Sequence, residues 1–174
     1  MFAITERLLL RPGWAEDAPA LASAVGDRAV AYNLARVPWP YSQHDAEAYL
    51  DQPHTPLRPT FLICLRDNNQ LVGGIGLHGE VDAELGFWIT RAHWGKGFAT
   101  EAGRAVLALA DASLRLPRVK ARHALDNPGS ARVLRKLGFR PTGKKAWTAS
   151  LARGPMETRL FVREREEVSQ ALAA

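Results

Sequence analysis

The sequence predicts an α+β fold, a mixed and mostly antiparallel central sheet flanked by helices, in a single domain over residues 1–174. Three observations point there. Apolar residues make up 47% and charged residues 24% of the 174-residue chain, enough to enclose one hydrophobic core. Two apolar runs flank Asp67-Asn68-Asn69-Gln70, which reads as an antiparallel hairpin. Helical patterns come first, then paired strands, then strand–helix–strand–helix, an order that sets helices against a sheet.

The elements follow in order. "ITERLLLRP" is strand-like and stops at Pro12, and "AEDAPALASAV" repeats apolar residues at Ala18, Leu21, Ala22 and Val25 with helical spacing. Ser42 is an N-cap for a short helix reaching about Leu50. "QPHTPLRP" is a proline-rich connection to the hairpin. "AELGFWIT" is a strand whose alternation puts Glu84, Gly86 and Trp88 on one face and Leu85, Phe87 and Ile89 on the other. A helix beginning near Thr100 presents Ala102, Ala105, Val106, Leu109 and Ser113 along one side. "RVKARHAL" is a strand, and "DNPGSARVLRKLGF" is a helix with Asn127 at its N-cap and Pro128 at its first position. Val133, Leu134 and Leu137 face inward, and Gly138 stops it. The tail carries two strand-like runs around an Arg153-Gly154-Pro155 turn, then a charged terminus expected to fray over its last ten residues or so. No repeat or composition shift marks a second domain.

The net charge of +5 favours acidic ligands. Basic residues are spread along the chain, without the stripes or motifs of a nucleic-acid binder. The single cysteine, Cys64, lies in an apolar run and reads as a small buried hydrophobe. No stretch approaches membrane-spanning length and the N-terminus lacks a leader pattern, so the expected location is cytoplasmic, with no membrane partner.

Chemistry concentrates around residues 92–110, "AHWGKGFATEAGRAVLALA". Glycine lets a backbone approach a phosphate closely, and the first turn of a helix offers unpaired N–H groups and partial positive charge. Gly95 and Gly97 are thus either an anion cradle or a tight strand-to-helix turn. The loop is no Walker loop, because Lys96 precedes the second glycine, and no dinucleotide fingerprint, because the third glycine is missing.

"ELGFWITRAHWGKGFATEAGRAVL" followed by "ALDNPGSARVLRKLGFRPTGK" resembles the GNAT superfamily of acyl-CoA-dependent N-acetyltransferases, and within it the branch that acetylates the N-termini of ribosomal proteins (RimJ/RimL type). The likeness reaches "RLLLRPGWAEDAPAL" near the N-terminus and is weakest over 51–60 and 140–174. It implies the GNAT-type acyltransferase fold and acetyl-CoA as cosubstrate, its pyrophosphate held by the loop of Trp94, Gly95, Lys96, Gly97, Phe98 and Ala99 with Thr100. Trp94 stands where the superfamily pattern has Gln or Arg. The resemblance also brings Asn127 and Ser130 to the pantetheine arm and thioester, beside the local reading of Asn127 as an N-cap.

The implied reaction is direct attack of an amine on the thioester in a ternary complex, with no metal. Backbone N–H groups around Trp88, Ile89 and Thr90 are placed to polarise the carbonyl. Glu84 is the leading general base, through a water, in a partly apolar cleft that would raise its pKa; the alternative is an exposed strand-end carboxylate, with Glu80 and Asp82 nearby. The proton donor that many members carry as Tyr in the last helix falls on Leu134, so Ser130 or a water would have to serve. Trp39, Tyr41 and Trp147 flank the acceptor cleft by the same analogy, as an amine cage or as core. Arg153 and Lys144-Lys145 read as solvated. His44, His54, His78, His93 and His123 show no metal-ligand spacing, and His123 alternates with Val119, Ala121 and Leu125 as a packed histidine. No Gly-x-Ser-x-Gly is present.

The expected acceptor is a primary amine, either a peptide N-terminus or a small molecule, and a homodimer is compatible with the sequence. A non-catalytic acyl-CoA sensor is the alternative from another class.

Overall fold

The computed structural model describes residues 1–53, 55–79 and 82–165. One eight-stranded sheet runs through them in the order β1-β2-β3-β4-β5-β6-β8-β7. The strands are β1 (Ala3–Ile4), β2 (Leu8–Arg11), β3 (Thr60–Leu65), β4 (Leu71–His78), β5 (Glu84–Ile89), β6 (Arg118–Ala124), β7 (Arg140–Ser150) and β8 (Gly154–Glu164). The helices are α1 (Ala18–Val25), α2 (Arg28–Ala31), α3 (Gln43–Leu50), α4 (Phe98–Ala112) and α5 (Pro128–Lys136). Every named pairing is antiparallel except β5–β6. That is the mixed α+β architecture expected from the pattern.

Both sheet faces are covered, and the strand sequences show why. In β3, Phe61 and Ile63 join the large core beneath α4, while Leu62 and Cys64 join a second cluster with Leu21, Val25 and Ala46 of α1 and α3. In β5, Leu85 and Ile89 enter the α4 core and Trp88 lies on the α1 side, as alternation requires. Gly74 makes this possible: a Cβ there would sit 2.5 Å from Trp88 Nε1, so only glycine lets the indole lie across β4. Arg11, only 4% exposed, ties β2 to the turn before α1 through a two-pronged pair with Asp17 at 2.7 Å on each side. Cys64 is buried beside it, and burial pushes its thiol up.

Several local expectations shift. The long helix α4 begins at Phe98, because Gly97, at φ 84, supplies the left-handed residue that starts it. Its buried stripe is Ala102, Gly103, Val106, Leu107 and Ala110; Ala105 and Leu109 pack at the margin and Ser113 is exposed. The four-residue helix α2, with Asp27 accepting from the Ala29 amide, has too few positions to show a period. The first of the two tail strands, β7, begins at Arg140, two residues after the Gly138 stop of α5. The terminus expected to fray, beyond Arg165, lies outside the described residues, as do His54 and Glu80.

Candidate active site

The site begins where two parallel strands part. β5 and β6 pair only at Glu84↔Lys120 and Leu85↔Ala121. From Gly86 onward β5 has β4 on one side and no strand on the other. Thr90 N–H donates to Val72 O at 2.9 Å, so the even-numbered residues of β5 turn their amides to β4. The amides of Phe87 and Ile89 therefore point into the split. Of the three amides named from the sequence, only that of Ile89 is aimed there; those of Trp88 and Thr90 belong to the ladder with β4.

At the carboxyl ends of β5 and β6 a crevice of about 490 Å³ opens between Tyr32 and Asn33 after α2, Arg91 and Trp94 after β5, Asp126 after β6, and Arg153 from the β7–β8 turn. Such a crevice, outside the carboxyl ends of neighbouring parallel strands, is where open sheets bind ligands. Trp94 is 49% exposed at its rim, and its Nε1 donates to Ile89 O at 2.7 Å. The loop is thereby pinned to the strand that feeds it.

Gly95 and Gly97 both have positive φ, 77 and 84. A Cβ at Gly95 would meet nothing within 4 Å, and one at Gly97 only Arg7 Nη2 at 3.5 Å. The space above the loop is open, and the glycines are required by backbone conformation. Thr100 N–H is already directed at Gly97 O, at 3.1 Å. The amides of Lys96 to Ala99, ahead of the first helical hydrogen bonds of α4, are the ones offered to an anion. The residues present thus fit a diphosphate held by backbone.

Two residues that sequence reasoning did not single out hold the loop in place. Glu101, in the first turn of α4, accepts from Thr5 Oγ1 (2.6 Å), the Arg7 amide (2.9 Å) and Arg7 Nε (2.8 Å). Arg7 also donates to Lys96 O at 3.1 Å and lies 4.7 Å over the Phe98 ring. Burial pushes the Glu101 carboxyl up, but these donors outweigh it and hold it below the ordinary carboxylate range. A glutamate in a helix's first turn was the available signal; its partner lies 94 residues earlier.

Asn127 caps α5, accepting from the Ser130 amide at 3.1 Å, while its Nδ2 donates to Asn33 Oδ1 at 3.1 Å. Cap and bridge across the crevice coexist on one side chain. Leu134 is wholly buried in the α4 core and carries no proton to give.

At the closed end of the split, both oxygens of Glu84 are held by Arg122, at 2.7 and 2.6 Å. The pair keeps the Arg122 guanidinium above its ordinary value. Asp82 is bound instead to Arg118 and Lys120. Arg153 is not solvated as expected: its side chain is 21% exposed and grips Asp126 at 2.7 and 3.1 Å, because the β7–β8 turn folds back over the crevice. Lys145 stays half exposed beside Glu157. Tyr41 packs against the α1–α3 cluster, where burial, then Asp45 and Tyr49, push its hydroxyl up to about 12. Trp39 is 38% exposed, its ring edge-on to Tyr32 of the crevice, and Trp147 is 74% exposed on β7. His123 is packed on Phe161, with Nδ1 donating to Ala124 O at 2.7 Å. Among the described residues no group of three His, Cys, Asp or Glu is placed to hold a metal ion. No described helix is long and apolar enough to cross a membrane.

Comparison with known proteins places the chain in a family. The profile of a family described as "Acetyltransferase (GNAT) domain" matches residues 7–140. The chain belongs to the GNAT acetyltransferases. An N-acetyltransferase of Bacillus subtilis described as uncharacterized, YoaA, is 34% identical over 82% of this chain and 86% of its own length. A GNAT-family acetyltransferase from Bacillus anthracis superposes with a TM-score of 0.84 at 25% identity, covering 96% of this chain and all of that one. The fold is shared too with RimL, a ribosomal L7/L12 α-N-protein acetyltransferase solved with coenzyme A, at TM-score 0.80 and 19% identity over 95% of this chain and 98% of RimL. This GNAT protein is accordingly an acyltransferase that moves acetyl to an amine.

Proposed function

We propose that this GNAT acetyltransferase takes its acetyl group from acetyl-CoA and passes it to a primary amine, a peptide N-terminus or a small molecule, by direct attack in a ternary complex without a metal. The observation that carries the reading is the split itself, which joins a backbone anion cradle at its mouth to the unpaired amides of Phe87 and Ile89 inside. The amides of Lys96, Gly97, Phe98 and Ala99 hold the pyrophosphate, and the α4 dipole and Lys96 add positive charge. Thr100 closes the turn behind them, and Trp94 and Gly95 shape its outer wall. Asn127 and Ser130 line the pantetheine side from α5. When bound, the cosubstrate supplies an activated acyl carbon and a thiol leaving group.

The protein's part is to fix geometry and charge. The Ile89 amide, preorganised by the Trp94–Ile89 bond at the adjacent carbonyl, donates toward the position of a developing oxyanion. Ser130 Oγ, in the first turn of α5, offers its hydrogen to sulfur where Leu134 cannot. Glu84 is the carboxylate at the vertex; to take a proton, even through a water, it must first release Arg122. The RimL-like fold supports a protein N-terminus as one acceptor class.

The test is direct. Acetyl-CoA should raise Tm through linkage, and thiol should be released when amines and N-terminal peptides are added. No shift at millimolar acetyl-CoA would end the reading. A shift without turnover on any amine would favour a sensor.

A further inference from the structure

Acetyl transfer needs a group that receives the proton shed by the attacking nitrogen, and Glu84 is not free to be it while Arg122 holds both its oxygens. Directly across the β4–β5 ladder stands His78, in register with Glu84. Its ring lies over Gly86: a Cβ there would sit 3.1 Å from Cδ2 and 3.3 Å from Nε2. Gly86 is the first residue of β5 beyond its last pair with β6. The absence of a side chain at that point thus lets the Nε2 edge of an imidazole rest at the vertex of the split. It lies on the face opposite α4, the same face as Glu84 and Trp88, and the amides of Phe87 and Ile89 follow along the strand.

We infer that His78 is the general base of the acetyl transfer, with the Glu84–Arg122 pair as its fixed charged neighbour. This rests on the split being the site of transfer. As the nitrogen lone pair forms the C–N bond, the ring nitrogen takes the proton from that nitrogen. The C–S bonding pair departs on sulfur, where the Ser130 hydroxyl hydrogen-bonds the thiolate, and the proton on the imidazolium passes to that thiolate, so thiol and amide leave with all charges balanced and Ser130 unchanged.

Among the described residues, the charged groups near the ring come from several elements. Glu84 faces it from β5, already paired with Arg122 of β6. Arg36 faces it from the segment after α2. Arg58 approaches from before β3, with its Nε on Gly79 O. Asp82 is turned away to Arg118 and Lys120. Burial, then Arg36, push the imidazole below its ordinary value against the pull of Glu84. That shift favours the neutral ring, the form with a lone pair to take a proton.

His78→Gln, with His78→Asn as a second variant should the first not fold, tests this. The readout is thiol release from acetyl-CoA across pH, with spermidine and short peptides beginning Ser or Ala as acceptors. We expect kcat to fall about 100-fold, within the usual range for a lost general base, with KM for acetyl-CoA and the acetyl-CoA-induced rise in Tm unchanged. In the unsubstituted protein kcat/KM should rise through a pKa below 6.5 and level off, a limb the variant loses. Loss of less than about threefold, or the same limb retained, would overturn the proposal. If acetyl-CoA fails to raise Tm in the unsubstituted protein, the reading of the split fails and takes His78 with it. If Tm rises but none of the three acceptors releases thiol, the base is overturned together with those acceptor classes.

Discussion

The two ends of the split are built in opposite ways. At its mouth, the proposed anion cradle is backbone: two glycines with positive φ and the first turn of α4, braced from behind by Arg7 and Glu101. At its vertex, the proposed chemistry is side chain: His78 from β4, Glu84 from β5 and Arg122 from β6 meet on one sheet face. A backbone site is local in sequence and changes little when a side chain is replaced, unless the replacement moves the backbone. A side-chain site depends on strand register, and a single substitution alters its charge.

The comparison breaks first at Gly97. Gly97→Val puts a β-branched residue at φ 84 and fills the space above the loop, so acetyl-CoA should no longer raise Tm at all. Normal affinity, by isothermal titration, would return the loop to being only a turn. Glu84→Gln should have the converse signature: turnover lower by about tenfold, a barrier change of about 1.4 kcal/mol from losing the charged neighbour of His78, with the acetyl-CoA shift intact. Unchanged turnover would remove Glu84 from the site. Smaller still is Asn127→Ala, which deletes the α5 cap and should cost about 1 kcal/mol in urea unfolding. A loss near zero would mean that the Ser130 amide finds another acceptor.

The brace gives the mildest effect, read through pH. Glu101 titrates below the ordinary carboxylate range when folded, so its contribution is complete above the unfolded value and is lost as pH falls through the folded one. Thermal stability should therefore fall with acid below about pH 4.3 less steeply in Glu101→Gln than in the unsubstituted protein. Equal slopes would show that Thr5 and Arg7 do not stabilise the carboxylate.

What could be read from the residues follows the same division. The glycine loop, the Asn127 cap, the hairpin at Asn68-Asn69 and the two-faced β5 are all short-range patterns, and the structure has each of them. Non-local partners were not legible. Arg7 and Glu101 lie 94 residues apart, and nothing near either one announces the other. His78 was visible only as a histidine without metal-ligand spacing. Its meaning depends on Gly86 across the ladder and on where β6 diverges, and divergence is a property of sheet twist. Arg153 was misread because a turn residue looks solvated until the hairpin is seen folding its tip onto Asp126.

Strand order has a consequence for biosynthesis. The last of the described strands, β8, does not lie at an edge; it sits between β6 and β7. Until residues 154–164 have left the ribosome, β6 presents a bare row of amides and carbonyls along the side that β8 will occupy. A nascent or prematurely terminated chain ending in β7 would thus carry an open template beside the vertex, vulnerable to mispairing with its own copies. Soluble yield should accordingly drop sharply for truncations that remove β8, and much less for those that stop just after Arg165.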